Sequence, residues 1–344
     1  MTLRLPLIAA LTAGLGLAAC SPAEPDAVVN VYSARHYASD QEVFRAFTEE
    51  TGIRVNLVEA GGDLLIERVR ADGGRSPADV IITVDAGRLH RAAEAGLFQP
   101  MTGLDDVLAR VPDTLEHPEG LWFGFATRAR VIVYARDRVD PSEVQTYGAL
   151  ASPAFEGRVC VRSSSNVYNQ SLVAGMIAED GAEAAEAFSA GIARNLARAP
   201  QGGDTDQIRA VAAGECDVAI VNHYYLARLA NAEDPADRAV GDAVGIVFPD
   251  QGRGGTYVNI SGAGLAANAP NPEAARALLR FLMTERAQRA FAELTNEFPA
   301  DPSVTYENTV LDGYAGFEAR DLNVNALGDN AAEAQRIFDR TGWQ

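Results

Sequence analysis

From residue 28 onward, short β-branched runs alternate with longer stretches whose apolar positions recur at helical spacing. That alternation predicts an α/β fold with largely parallel strands. VVNVYS is followed by DQEVFRAFTEETG, where Val43, Phe44 and Phe47 share one helix face and Gly52 supplies the stop. IRVNLVEA predicts a second strand, LLIERVRADGG a helix, ADVIITV a third strand and DAGRLHRAAEAGL another helix. A βαβαβα series with short connections is one doubly wound lobe.

TRARVIVYA (127–135) is a hydrophobic strand with no helix immediately before it, and it reads as a crossing between lobes. The repeat then restarts: GRVCVR leads into SSSNVYNQSLVAGMIAED, and GECDVAIV leads into NHYYLARLAN. VGIVFPDQ and TYVNISGAGLA bring the chain back. NPEAARALLRFLMTERAQRAFAEL then predicts a strongly periodic helix, and AAEAQRIFDRTG closes the chain. Two lobes joined by two crossings describe a protein with a cleft. One lobe is expected at 28–126 plus 252–295, the other at 127–251 plus 296–344.

Composition agrees with two cores: 344 residues, 47% hydrophobic and 22% charged. The formal net charge of −18 argues against a nucleic-acid partner and against docking on an anionic membrane surface, both of which select clustered positive charge. All 29 basic residues are Arg, a compositional bias that by itself points to no site.

The three cysteines divide unevenly. Residues 1–19 carry one Arg and a Gly-interrupted apolar stretch too short for a comfortable membrane span, and read as a secretory signal. The run Leu17-Ala18-Ala19-Cys20 resembles a bacterial lipobox. Cys20 is therefore expected to be acylated, with residues 20–27 as a tether and the lipid as the only membrane contact. Cys160 and Cys216 remain, an even pair in an oxidising compartment and a candidate disulfide; the alternative is two buried thiols.

Zinc-protease, nucleophile-elbow, Walker A, C-x-x-C and EF-hand signatures are absent. The GGD runs at 61–63 and 202–204 and GRGG at 252–255 lack dinucleotide-loop spacing and read as turns. His90, His117, Trp122 and Phe123 read as structural.

Ligands of open α/β sheets bind beyond the carboxyl ends of strands. Three such turns carry Ala34-Arg35-His36-Tyr37, Ser163-Ser164-Ser165-Asn166-Val167-Tyr168 and Asn222-His223-Tyr224-Tyr225. Four of the ten tyrosines therefore fall at strand ends. Deprotonated phenols are hard anionic donors. A free phenol titrates near pH 10, so ionising several at neutral pH calls for a strong Lewis acid, and ferric iron fits better than zinc or copper. Four phenolates on Fe3+ leave one negative charge, for which Arg35, Arg128, Arg130 and Arg228 are candidate compensators. The competing reading is an aromatic box around an organic ligand or oxyanion.

VYSARHYASD, SPADVIITVDAGRL, GLWFGFATRARVIVY, RSSSNVYNQSLVA, GGDTDQIRAVAAG, VNHYYLARL and NISGAG resemble the periplasmic ferric-iron-binding proteins of ABC importers, the FutA/FbpA-like group. The similarity runs from about residue 28 to about 300 and covers all three tyrosine turns in order. It implies a type II periplasmic-binding-protein fold of two doubly wound lobes with two interlobe crossings. It also implies Tyr37, Tyr168, Tyr224 and Tyr225 as iron ligands, with His36 as a fifth ligand or a close bystander. Such proteins differ in whether a bound anion such as carbonate completes the shell. Thr83 and Asp85 would line the cleft. The expectation is a monomeric, lipid-anchored periplasmic protein of a Gram-negative bacterium that delivers Fe3+ to an inner-membrane ABC permease and performs no chemistry. A hydrolase using Ser163–Ser165 lacks a His/Asp partner at recognisable spacing, and a surface interaction protein on the same scaffold is the remaining alternative.

Overall fold

The computed structural model describes residues 27–344. The signal segment, Cys20 and the tether up to residue 26 lie outside the described residues.

Nine strands form the framework: β1 (Val28–Ser33), β2 (Arg54–Glu59), β3 (Val80–Val84), β4 (Phe123–Ala135), β5 (Val159–Cys160), β6 (Val218–Asn222), β7 (Val244–Val247), β8 (Val258–Leu265) and β9 (Phe298–Pro299). Their order is β2-β1-β3-β8-β4-β6-β5, with β7 and β9 also pairing β4. The pairs β1/β2, β1/β3 and β5/β6 are parallel, as βαβ connections require. Every pair made by β4 or β8 is antiparallel. The sheet is therefore mixed rather than largely parallel, because the two crossing strands run against the repeats they join.

β4 explains how one strand serves two lobes. Its first half, Phe123–Ala129, pairs β8, and its second half, from Arg130 to Ala135, pairs β6 and β7. Thirteen residues of extended chain reach about 40 Å, twice the usual strand length. On one side, Val31, Phe47, Ile81, Trp122 and Phe123 are among the residues of a first core; on the other, Ile132, Phe155, Ile220 and Trp343 belong to a second. Ala300, Val324 and Leu327 from the C-terminal segment pack into the first core.

Local signals act where the pattern places them. The helix Ala38–Thr51 ends at Gly52 in the left-handed region (φ 73°), a conformation glycine adopts without a Cβ penalty. The predicted long helix after Asn271 is instead two, Pro272–Leu282 and Glu285–Thr295. Thr284 interrupts the run by capping the second, accepting from the Ala287 N–H at 3.4 Å. Gln288 then ties the break to the sheet, donating to the Phe125 and Leu282 carbonyls at 2.7 Å each.

Asp85 joins the lobes. Fully buried, with φ 82° at the end of β3, it accepts from the Gly87 N–H, from Asn259 Nδ2 at 2.8 Å and from Ser171 Oγ at 2.6 Å. Such a backbone costs about 1–3 kcal/mol and persists only where its surroundings fix it; here three bonds from separate segments do so.

Cys160 and Cys216 form a disulfide with Cα atoms 5.9 Å apart. Cys216 lies just before β6, not within it, and the parallel β5/β6 pairing brings the two together. The bond closes a loop of 56 residues. In denaturant titrations, Cys160→Ser/Cys216→Ser is expected to lose about 4 kcal/mol; an unchanged midpoint would show that the crosslink constrains nothing.

Candidate metal centre

All four strand-end tyrosines sit at helix N-termini. Tyr37 is the extended residue (φ −98°, ψ 132°) immediately before the helix Ala38–Thr51. Tyr168 is in the first turn of Val167–Asp180, where Asn166 Oδ1 caps the helix by accepting the Tyr168 N–H at 3.1 Å. Tyr224 and Tyr225 are in the first turn of His223–Ala230. The positive end of a helix dipole favours an anionic phenolate over a neutral phenol.

The phenols converge. Tyr37 Oη lies 3.4 Å from Tyr224 Oη, and the Tyr224 and Tyr225 rings are 4.3 Å apart. Burial raises the pKa of Tyr37, Tyr224 and Tyr225 above the ordinary phenol value, and the acidic groups around them raise it further. Tyr168 lines the small cavity that Arg128 and Arg130 share. In the absence of a cation, Tyr37, Tyr224 and Tyr225 stay protonated at neutral pH. Among the described residues no group of three or more His, Cys, Asp or Glu is placed to hold a metal.

The four candidate arginines surround this cluster. Arg228 stacks over Tyr37, Tyr224 and Tyr225, 4.5–5.7 Å from the ring centres, and forms no ion pair among the described residues. Arg35 lies 4.7 Å from the Tyr37 ring centre, Arg128 6.0 Å from that of Tyr224, and Arg130 5.9 Å from that of Tyr168.

Beneath them lies a buried ionic network. Arg35 grips Asp40 through two bonds of 2.8 and 2.9 Å and Glu297 Oε2 at 2.8 Å; Arg128 reaches Glu297 Oε1 at 3.0 Å. Ser261 Oγ bonds both guanidiniums and donates to Glu297 at 3.1 Å. A second knot centres on Asp204, which accepts from Arg130 Nη1 and from the Asn222 N–H, both at 2.8 Å. Arg130 also holds Asn169 Oδ1 at 2.7 Å, next to Tyr168. Several buried donors remain without protein partners: Arg128 Nε and Nη1, Arg130 Nε and Asn222 Nδ2. Their three residues line one small cavity together with Tyr168, Tyr257 and Asn259.

His36 stands apart from the phenols. It is 54% exposed, and its Nδ1 lies 3.8 Å from Glu59 Oε1. His223 serves the fold: its Nδ1 accepts the Ala129 N–H at 3.1 Å, its ring stacks on Phe298, and burial pushes its pKa down to about 3. Thr83 and Asp85 are buried at the end of β3 and in the turn after it, Asp85 in the interlobe bond already described. Sequence reasoning missed Glu297, Asp204, Ser261 and Glu59. Only Asp204 carried a signal, as an acidic residue after a Gly-Gly turn at a helix start.

Residues 42–312 match the family described as bacterial extracellular solute-binding protein. The chain is 48% identical over 318 residues to Iron uptake protein A2 of Synechocystis, covering 92% of this chain and 90% of the other. Its structure resembles that of Trichodesmium FutA in complex with iron and citrate ligands, with TM-score 0.88, 48% identity and coverage of 92% and 100%. The ferric binding protein from Campylobacter jejuni is similar at TM-score 0.87, 36% identity and the same coverage. The fold is thus the type II periplasmic-binding architecture that the resemblance implied.

Burial opposes ionisation of Glu297, but the charges of Arg35 and Arg128 outweigh it and hold its pKa down to about 2. A carboxyl depressed on folding contributes stability that is present above its unfolded pKa, about 4.3, and is lost as the pH falls through its folded value. Urea titrations across that window are expected to lose about 3 kcal/mol on this account. E297Q is expected to cost about 3–5 kcal/mol at neutral pH, by leaving Arg128 without a carboxylate and Arg35 with Asp40 alone, and to flatten the acid dependence. Equal acid sensitivity in both proteins would contradict the assignment.

Proposed function

The chain belongs to the bacterial extracellular solute-binding protein family, and we propose that within it this protein captures ferric iron in the interlobe cleft for an ABC importer. The observation that carries the reading is the convergence of Tyr37, Tyr224 and Tyr225 from two separate turns, with Tyr168 from a third lining the cavity that Arg128 and Arg130 share, in a cleft whose described residues hold no group of three or more His, Cys, Asp or Glu. The relatives named for iron uptake and ferric binding support it.

Tyr37, Tyr168, Tyr224 and Tyr225 are the proposed ligands. Each gives up its proton as it binds. Arg228, which makes no direct ion pair among the described residues, offsets the residual negative charge of the complex from its position over three rings. Arg35, Arg128 and Arg130 position the turns and the crossing strand. His36 is a fifth ligand only if the loop brings it inward from its contact with Glu59. The unpartnered donors of Arg128, Arg130 and Asn222 suit an anion completing the shell, carbonate or a carboxylate such as the citrate found with Trichodesmium FutA.

The lobes proposed from the sequence, 28–126 plus 252–295 against 127–251 plus 296–344, close on the metal from two sides, with Ala300, Val324 and Leu327 reaching back into the first core. No helix among the described residues is long and apolar enough to cross a membrane. The proposed attachment is a lipid on Cys20, in the periplasm, as a monomer that passes iron to an inner-membrane permease. No chemical step is assigned: Ser163 and Ser165 bond each other at 2.9 Å, and neither hydroxyl bonds a histidine among the described residues. Opening of the lobes releases the metal, and reduction assists because Fe2+ is softer and holds phenolate less tightly.

Ferric loading is expected to turn the protein orange to red through phenolate-to-iron charge transfer. Tyr224→Phe/Tyr225→Phe should abolish the band and weaken binding by more than about a hundredfold, beyond the loss of an outer partner. A colourless ferric protein, or full loading of the double variant, would sink the reading.

Acid tests the same ligands from another side. Because Tyr37, Tyr224 and Tyr225 are protonated in the metal-free protein, each of these oxygens displaces one proton on ligation, so affinity must fall as pH falls, by up to about one decade per pH unit for each phenolate. Chelator competition at neutral and mildly acidic pH measures the slope. A flat profile excludes phenolate ligation.

A further inference from the structure

Tyr168 is held differently from the other phenols. Tyr37 and Tyr224 meet through their hydroxyls, whereas Tyr168 faces Arg130 and Arg162, 5.9 and 5.3 Å from its ring centre, and lines the small cavity that also holds Tyr257 and Asn259. Its helix, Val167–Asp180, buries Leu172, Val173 and Met176 in the second core. Asn169 ties that helix to the second half of β4, accepting from Arg130 at 2.7 Å. Ser171, three residues after Tyr168, ties the same helix to the opposite lobe: its Oγ donates to Asp85 Oδ1 at 2.6 Å.

Asp85 is a fixed reference on its own side. Its N–H donates to the Ile260 carbonyl at 2.8 Å, its Oδ1 accepts the Gly87 N–H at 2.9 Å and its Oδ2 accepts from Asn259 Nδ2 at 2.8 Å. Asn259 is fixed in turn, its Oδ1 accepting the Ala86 N–H at 2.8 Å. Val80, Ile81 and Ile82 of the preceding strand lie in the first core. All of these bonds stay within the first lobe, and the bond from Ser171 crosses to it. A backbone at φ 82° survives in a non-glycine residue only under such restraint, and residues of this kind gather at ligand clamps and switch regions. The approach is close: a Cβ on Gly87 would stand 3.1 Å from Asp85 Oδ1 and 3.5 Å from Ser171 Oγ. One on Gly175, four residues after Ser171, would stand 3.2 Å from Leu327 of the first core. Two successive turns of the Tyr168 helix are thus seated against the first lobe.

We propose that Asp85 and Ser171 are a positioning pair that fixes Tyr168 relative to Tyr37 across the cleft and so sets the strength of metal binding. The inference rests on the ferric reading of the cleft. Tyr168 and Ser171 lie three residues apart on one helix, about 4.5 Å along its axis. A rotation of the lobes about the Ser171–Asp85 bond displaces Tyr168 only over that short arm. Loss of the bond lets the helix, and the phenol with it, slide on the first lobe. Neither side chain is a ligand; both act through the helix. A bond that restricts Tyr168 independently of the metal lowers the ordering cost of ligation.

Ferric affinity of the mature protein, measured by chelator competition at neutral pH, tests the pair through two mutant cycles. Ser171→Ala is expected to weaken binding about tenfold, the low end for an outer partner of a metal ligand. Asp85→Gly, whose backbone accepts the positive φ without a Cβ, is expected to weaken it at least as much. Combining the two should cost no more than Asp85→Gly alone. In a Tyr168→Phe background, itself weakened, Ser171→Ala should cost nothing further, because the ligand it places is gone. A general supporting role for Ser171 would instead lower affinity by the same factor in both backgrounds. Equal factors, additive losses in Ser171→Ala/Asp85→Gly, or wild-type affinity in Ser171→Ala overturn the proposal and leave the ligand set standing. Full ferric affinity in Tyr168→Phe removes Tyr168 from the ligand set and the proposal with it.

Discussion

Everything in the cleft hangs on two buried carboxylates under a strand that crosses from one lobe to the other. Glu297 binds Arg35 from the first tyrosine turn and Arg128 from β4, while Asp204 binds Arg130 from β4 and the backbone N–H of Asn222, two residues before Tyr224. Arg128 and Arg130 are two apart on an extended strand and so face the same way. Arg130 goes on to Asn169, next to Tyr168. Three turns that are distant in sequence are thereby referred to one strand face, and the phenols inherit their separation from it.

Charge bookkeeping explains why the cations sit so deep. Asp40 and Glu297 neutralise Arg35 and Arg128 one for one, so that pair of guanidiniums adds rigidity and hydrogen bonds but little net charge. A buried pair of this kind is weak evidence for stability and better evidence for placement. Arg228 differs, being stacked on three rings with no carboxylate bonded to it among the described residues and Glu297 acting on it only across space. The cleft thus separates two tasks, fixing geometry with paired ions and setting potential with one cation that no carboxylate grips.

The legible parts of the sequence were those with a period or a cap. The first βαβαβα series and the Gly52 stop follow from side-chain spacing and capping chemistry, and the tyrosines were visible because they fall where strands end. Periodicity reports burial and not direction, so the antiparallel pairing of β4 and β8 could not be read from it. Nor could the break at Thr284, where both flanking helices keep an apolar face through the interruption. Glu297 was invisible for another reason. It follows a helix end in an irregular segment, and its importance comes from partners 262 and 169 residues away in sequence.

The crossing strands also tie Tyr257 to the residues that set the tyrosine turns. The Tyr257 carbonyl accepts the Arg130 N–H at 2.9 Å, and the Tyr257 N–H donates to Tyr147 Oη at 3.3 Å, which itself bonds the Arg130 carbonyl. Arg130 is the residue that orients both Asn169 and, through Asp204, Asn222. Tyr257 is therefore bonded through its backbone to the arginine that sets two of the three tyrosine turns. A ligand of the cleft that prefers one arrangement of that strand over another would be coupled to it through these bonds.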